Sequence, residues 1–154
     1  DQGDKLYHRS IYTFWRRIIG PTMFFDVSKR QTCTVKTAQT NTPLHALATL
    51  NDITYVEAAR ALAERVMHRH HEVVDRLRMA FRLCTSRQPT AAELDLLIAR
   101  LEVFRKQYAA TPGEATKLLK VGQSQRDENF DPVEHAAHTG VCLLILNLDE
   151  ALNK

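Results

Sequence analysis

The chain has 154 residues, 44% hydrophobic and 25% charged, with few Gly and Pro, which is the composition of one soluble globular domain long enough to bury a core without metal or disulfide help. Its longest apolar run, Val141–Leu146, falls far short of the roughly 18–20 residues of a membrane span, so no span is expected. The net charge of +3 is shared unevenly, with 13 Lys/Arg against 8 Asp/Glu in residues 1–82 and 8 against 10 in residues 83–154, but the cations are scattered among acids and do not form a polyanion-binding stripe.

Cys33, Cys84 and Cys142 lie far apart with no C-x-x-C pair, which argues against a disulfide framework, a metal knuckle or a covalently attached haem. Asp1 is not a translation start, so the chain is read as a fragment or a processed product, and a missing targeting segment carries no meaning.

In chain order, residues 1–20 are ambiguous. Tyr7, Ile11, Phe14, Trp15 and Ile18 fit one helical face, while Ser10–Trp15 also reads as an extended run. Gly20-Pro21 ends the element. Residues 22–41 show no sustained period and are expected to form an irregular arm with aromatic anchors at Phe24 and Phe25; so long an irregular stretch is either functional or packed on something.

Regular structure then begins. Thr42-Pro43 reads as an N-cap followed by proline at the first helical position, opening a short helix to about Leu50. Asn51-Asp52 offers a second cap, after which Tyr55, Val56, Ala59, Leu62, Ala63, Val66 and Met67 recur at helical spacing. Glu64 follows Arg60 by four residues, a pair expected to give modest surface support. His68-Arg69-His70-His71 is expected to interrupt the pattern. A further helix carries Val73, Val74, Leu77, Ala80, Phe81 and Cys84 on one face.

Thr90-Ala91-Ala92-Glu93 matches a capping box before the long stripe of Leu94, Leu97, Ile98, Leu101, Phe104 and Tyr108. Thr111-Pro112-Gly113-Glu114 repeats that logic before a short helix through Leu118, Leu119 and Val121. Gly122–Phe130 is polar and expected to be mobile. Asp131-Pro132 starts a last helix whose middle is apolar on most sides, which predicts a central position, with Gly140 permitting a close neighbour. The fold class expected is all-α: an irregular N-terminal arm, residues 1–41, packing on a compact bundle of five or six helices, residues 42–154.

Few residues point to chemistry. His68, His70 and His71 could bind metal as a tract, but at a helix end they also simply suit the C-terminal dipole. His135 and His138, three apart beside Glu134, are the other metal candidates; a di-metal site would need matching ligands from other helices, and no second Glu-x-x-His occurs. A solvated or partly buried face is expected for them.

Cys33 is the one thiol in an irregular segment, hence the candidate nucleophile, whereas Cys84 and Cys142 fall on apolar faces. Asp52, Asp149 and Glu150 are the acid–base candidates, with a cap and ion pairs to Arg9, Arg16 or Arg17 as the structural alternative. Basic residues interleave with aromatics over residues 7–36, a pattern that can bind single-stranded nucleic acid but that also arises when an arm plugs its aromatics into a domain. Nucleic acid is not the expected partner.

Arg9-Ser10-Ile11-Tyr12, Phe25-Asp26, Cys33, Thr42-Pro43-Leu44, Leu50-Asn51-Asp52, Glu57–Ala63 and Leu146-Asn147-Leu148-Asp149-Glu150 together resemble the C-terminal part of the domain of unknown function 1553 family. The resemblance implies a large exported or periplasmic protein of planctomycete-type bacteria, often beginning with a c-type cytochrome domain, with an N-terminal half absent from this chain. Its pattern commonly has Pro at the position of Ile53, which supports Asp52 as an N-cap, and Gln at that of His45, which speaks against a catalytic imidazole there. An aromatic is usual near His138, which speaks against a two-His metal site.

Links to polysaccharide breakdown exist for such proteins only by association. Thr42, Pro43, Asn51, Asp52 and Asn147 are expected to be structural motif residues. The expected role is a non-catalytic structural or interaction module, without a cofactor of its own, whose partners are the missing N-terminal half and, in a longer chain, a cytochrome domain. The alternative is half of an enzyme site using Asp52, Asp149 or Glu150 with Arg9.

Overall fold

A computed structural model describes residues 43–152; the arm expected over residues 1–41, with Arg9 and Cys33, and the N-cap Thr42 lie outside the described residues. Those residues are all-α. Pro43 does open a helix, α1 (Pro43–Asn51), and Asp52 caps the next, α2 (Ile53–Arg69), its Oδ1 accepting from the amides of Thr54 (2.9 Å) and Tyr55 (3.2 Å). Asn51 plays a different part from the one its position beside Asp52 suggests: it ends α1, its Nδ2 donating to the Leu47 carbonyl (2.7 Å).

The histidine tract does end α2, as expected, with His70 as its C-cap. The last helical residue is Arg69, and the His70 amide donates to the Val66 carbonyl (3.0 Å). Arg76 reaches back to bond the His70 carbonyl (2.8 Å), so an acceptor left over at the helix end is satisfied from α3 (Val73–Thr85).

Helix α4 (Ala91–Ala110) begins with the predicted capping box: the Thr90 amide donates to Glu93 Oε2 (2.7 Å) and the Glu93 amide to Thr90 Oγ1 (3.3 Å). Thr111 does not repeat it. Its hydroxyl turns back to the Gln107 carbonyl (2.9 Å), ending α4, and α5 (Pro112–Leu119) starts on Pro112 without a side-chain cap. Asp131 caps α6 (Pro132–Leu146) through the Glu134 amide (2.9 Å), and a single turn, α7 (Asp149–Leu152), follows.

Helix α6 is the axis of the bundle, touching α2, α3, α4, α5 and α7, as its all-round apolar middle predicts. Ala137, Val141, Cys142 and Ile145 pack with Ala59, Ala63 and Val66 of α2, Leu77 and Phe81 of α3, and Leu97 and Leu101 of α4. Small residues bring the helices close. A Cβ added at Gly140 would lie 3.1 Å from the Phe104 ring, so this glycine does admit a neighbour. A satellite cluster of Ala115, Leu119 and Ala136 seats α5 against α6.

Candidate functional site

Three polar assemblies stand out from this apolar frame. The first lies between α2 and the segment joining α5 to α6. Glu57, Arg60 and Glu64 share one face of α2, and all three turn inward. Glu57 Oε1 accepts from the amides of Gln123 (3.1 Å) and Ser124 (2.6 Å); Arg60 Nη2 donates to the carbonyl (2.8 Å) and hydroxyl (2.6 Å) of Ser124; Glu64 Oε1 accepts from the Asp127 amide (3.2 Å).

The Arg60 side chain is 1% exposed, so the pairing with Glu64 (3.4 Å) is not the surface support its spacing suggests but part of a buried group of charges, with Glu57 3.7 Å away. His68 closes the outer edge, its Nε2 2.7 Å from Asp127 Oδ2 and its ring edge-on to Phe130. Gly122 adopts φ +99°, and a Cβ there would overlap the Glu57 carboxylate. The segment expected to be mobile is therefore clasped along its length, because three side chains of α2 supply the partners that its own backbone lacks.

The second assembly sits on α6 itself. His135 and His138 are fully buried, not on the solvated or partly buried face expected for them. They diverge: His135 lies against Phe130 and 3.6 Å from Glu64, whereas His138 donates from Nδ1 to the Glu134 carbonyl (3.0 Å). Burial pushes the pKa of both imidazoles down, and nearby Glu64 and Glu134 pull the other way.

Glu134 is bonded by Arg105 through both carboxylate oxygens and approached by Arg76 (3.6 Å). Burial alone would raise its pKa, but Arg105, His138 and Arg76 hold it below the usual range. Both His135 nitrogens, His138 Nε2, Arg60 Nε and Arg126 Nη1 are buried without a hydrogen-bond partner among the described residues. No group of three or more His, Cys, Asp or Glu among those residues is arranged to hold a metal ion.

The third assembly is the corner where α1 meets the end of α6. Thr49, buried, donates from Oγ1 to Asn147 Oδ1 (2.6 Å), the residue that ends α6. Asp52 lies three residues beyond Thr49 and is occupied as a cap; Asp149 opens α7 two residues beyond Asn147 and is exposed. Glu150 turns away to Arg87, its Oε1 and Oε2 accepting from Nη2 and Nε (both 2.9 Å).

Arg87 also binds both oxygens of Glu93 and lies 4.8 Å from the centre of the Phe81 ring. That pairing, with the Thr90 amide next, draws the Glu93 pKa down to about 2. Glu150 thus has its partner in the α3–α4 turn; the pairings foreseen with Arg9, Arg16 and Arg17 fall outside the described residues.

Glu57, Arg60, Glu64, Glu134 and Arg105 carry most of the internal polar structure, yet nothing singles them out in the sequence by residue type. One signal was present. Glu57, Arg60 and Glu64 stand at i, i+3 and i+7 beside an apolar stripe rich in Ala, where short neighbours leave long polar side chains room to fold in.

No helix among the described residues is long and apolar enough to cross a membrane. No curated protein and no solved structure matches the chain. The model of a family of proteins of unknown function, DUF1553, matches residues 1–101, so the match ends within α4 and the Leu146–Glu150 part of the resemblance lies beyond it. On that match over most of its length, the chain belongs to the DUF1553 family.

Proposed function

We propose that the chain is a non-catalytic structural module whose helical core holds other parts of its own polypeptide, beginning with residues 1–42. One observation carries this reading. Leu44, Leu47 and Ile53, at 69%, 59% and 64% exposure, gather large apolar side chains on α1 and the first turn of α2, while the charged groups of the bundle are largely spent on caps, the loop clasp and ion pairs. Exposed apolar patches mark contact surfaces.

The occupant is favoured by connectivity: the 42 residues that lead directly into Pro43 carry Tyr7, Ile11, Phe14, Trp15, Ile18, Phe24 and Phe25, which is the complement such a surface needs. The missing N-terminal half of a longer chain, and a cytochrome domain beyond it, are the further partners in an exported protein of this family.

Trp15 is the sole tryptophan and reports on this contact. Its emission is expected to be blue-shifted in the wild-type chain and to move to the red in Leu47→Asp, with far-UV circular dichroism preserved. Solvent-like emission from the wild-type chain, or no response to Leu47→Asp, contradicts the reading.

A second reading draws support from the Thr49–Asn147 bond, since Thr49 stands three residues before Asp52 and Asn147 two before Asp149. In that reading these carboxylates form half of a glycan-directed site completed by the absent half. Glycan hydrolysis by a longer chain containing that half, lost in Asp149→Asn with fold intact, supports it; activity unchanged in both Asp52→Asn and Asp149→Asn removes it.

A further inference from the structure

Helix α4 is apolar on two opposite faces. One face is accounted for: Leu97 and Leu101 are buried in the core, and Leu94, Ile98, Phe104 and Tyr108 pack against it. The other is turned to solvent. Ala92, Leu96, Ala99, Val103, Lys106 and Ala110 are all exposed, Leu96 and Val103 by 60% and 51%. Their steps are four, three, four, three and four residues, the 3.5-residue period of a two-stranded coiled-coil seam.

The period that seats α4 on α6 does not require this second stripe, and an amphipathic helix ordinarily sets polar residues there. Lys106 is the one charged residue in the stripe. We infer that the outer face of α4 is a self-association surface, on which a second copy of this chain pairs its own α4 in parallel.

The flanking charges select both the partner and its direction. In a parallel pair the residue before each first seam position faces the residue five places further along the other helix, so Asp95 meets Arg100 of the second copy, twice by symmetry, and Glu102 meets Gln107 of the second copy. Asp95 and Arg100 are exposed on either side of the stripe. An antiparallel pairing centred near Leu101 sets Arg100 against Arg100 and Glu102 against Glu102, which is unfavourable. The three alanines let the helices approach closely, but a seam of 20 residues stays at or below the roughly 1,200 Å² at the low end of specific interfaces. The dimer is weak and concentration-dependent.

Sedimentation equilibrium of the full 154-residue chain, over a series reaching high micromolar concentration, should show a monomer–dimer equilibrium. Leu96→Glu with Val103→Glu, checked for unchanged far-UV circular dichroism, should weaken it by about a hundredfold or more, since each copy loses two buried apolar side chains. Asp95→Arg should weaken it, and adding Arg100→Asp should restore it.

Direction is read by Ala99→Cys in a Cys33→Ser, Cys84→Ser background. Parallel pairing puts the two introduced thiols side by side and gives a disulfide-linked dimer on mild oxidation, whereas antiparallel pairing sets each opposite Val103. A chain monomeric throughout, a dimer indifferent to Leu96→Glu with Val103→Glu, or a dimer that does not cross-link through Ala99→Cys overturns the proposal.

Discussion

At the scale of single residues, the bundle depends on a few groups whose surroundings leave no alternative. Gly122 is one: its φ of +99° and the Glu57 carboxylate over its Cα both demand glycine. Gly122→Ala is expected to cost about 1–3 kcal/mol in urea unfolding and to speed amide exchange at Gln123 and Ser124, the donors to Glu57. Unchanged exchange there would mean that the clasp is not what holds the loop. His135 and His138 are the other such residues. Arg60 and Glu64 of α2 and Arg126 of the loop surround the first; Glu134, Arg76 of α3 and Arg105 of α4 surround the second. Both pKa values lie below the ordinary 6.5 in the fold, so the unfolded chain takes up protons first. The stability due to neutral burial is therefore complete above about pH 6.5 and is lost as pH falls through the folded values. Glu134, Asp127 and Glu93, all held low, add a second loss only in the carboxylate range. Unfolding midpoints at stepped pH should show the first decline in the wild type and a shallower one in His135→Gln. Imidazole titration at or above 6.5, read by NMR, contradicts this.

At the scale of elements, α6 organises the rest, and truncating its contacts should be costly throughout. Leu101→Ala, which opens a void between α4 and α6, is expected to lose about 3–5 kcal/mol, read from denaturant unfolding; a loss under about 1 kcal/mol would place Leu101 outside the core. Arg87→Ala should release α7, seen as faster exchange in Asp149–Leu152, while Val141–Ile145 stay protected; slow exchange in α7 would show that Glu150 is not its tether. These helices were legible because they obey local rules. Pro43, Asp52, Thr90 and Asp131 mark starts through their own side chains or rings, and the three-four spacing of Leu94 through Tyr108 needs no knowledge of the partner it packs on. The polar interior was not legible, because it depends on pairs far apart in the chain. Glu57 looks like any surface glutamate until Gly122–Ser124, more than sixty residues later, fold onto it, and nothing near His135 announces that Phe130 and Glu64 enclose it. The mobility expected of Gly122–Phe130 followed from its composition alone. Polar loops are ordered when another element supplies their hydrogen bonds, and here α2 does.

For the whole molecule, membership of the DUF1553 family is established, and the described residues form an all-α core with α6 at its centre. Among the described residues, its five most exposed large apolar side chains fall on two surfaces, Leu44, Leu47 and Ile53 at one end and Leu96 and Val103 along α4. On the two proposals the first would take the chain's own preceding segment and the second a further copy, so the two contacts would not compete. Whether residues 1–42 dock on the first surface is read by hydrogen exchange of the full 154-residue chain, followed by mass spectrometry in the wild type and in Leu47→Asp with Ile53→Asp. Exchange within residues 1–42 is expected to be slowed in the wild type and to lose that protection in the double variant while α2 through α6 keep theirs. Random-coil exchange throughout residues 1–42 of the wild type, or protection there that survives both substitutions, would contradict it.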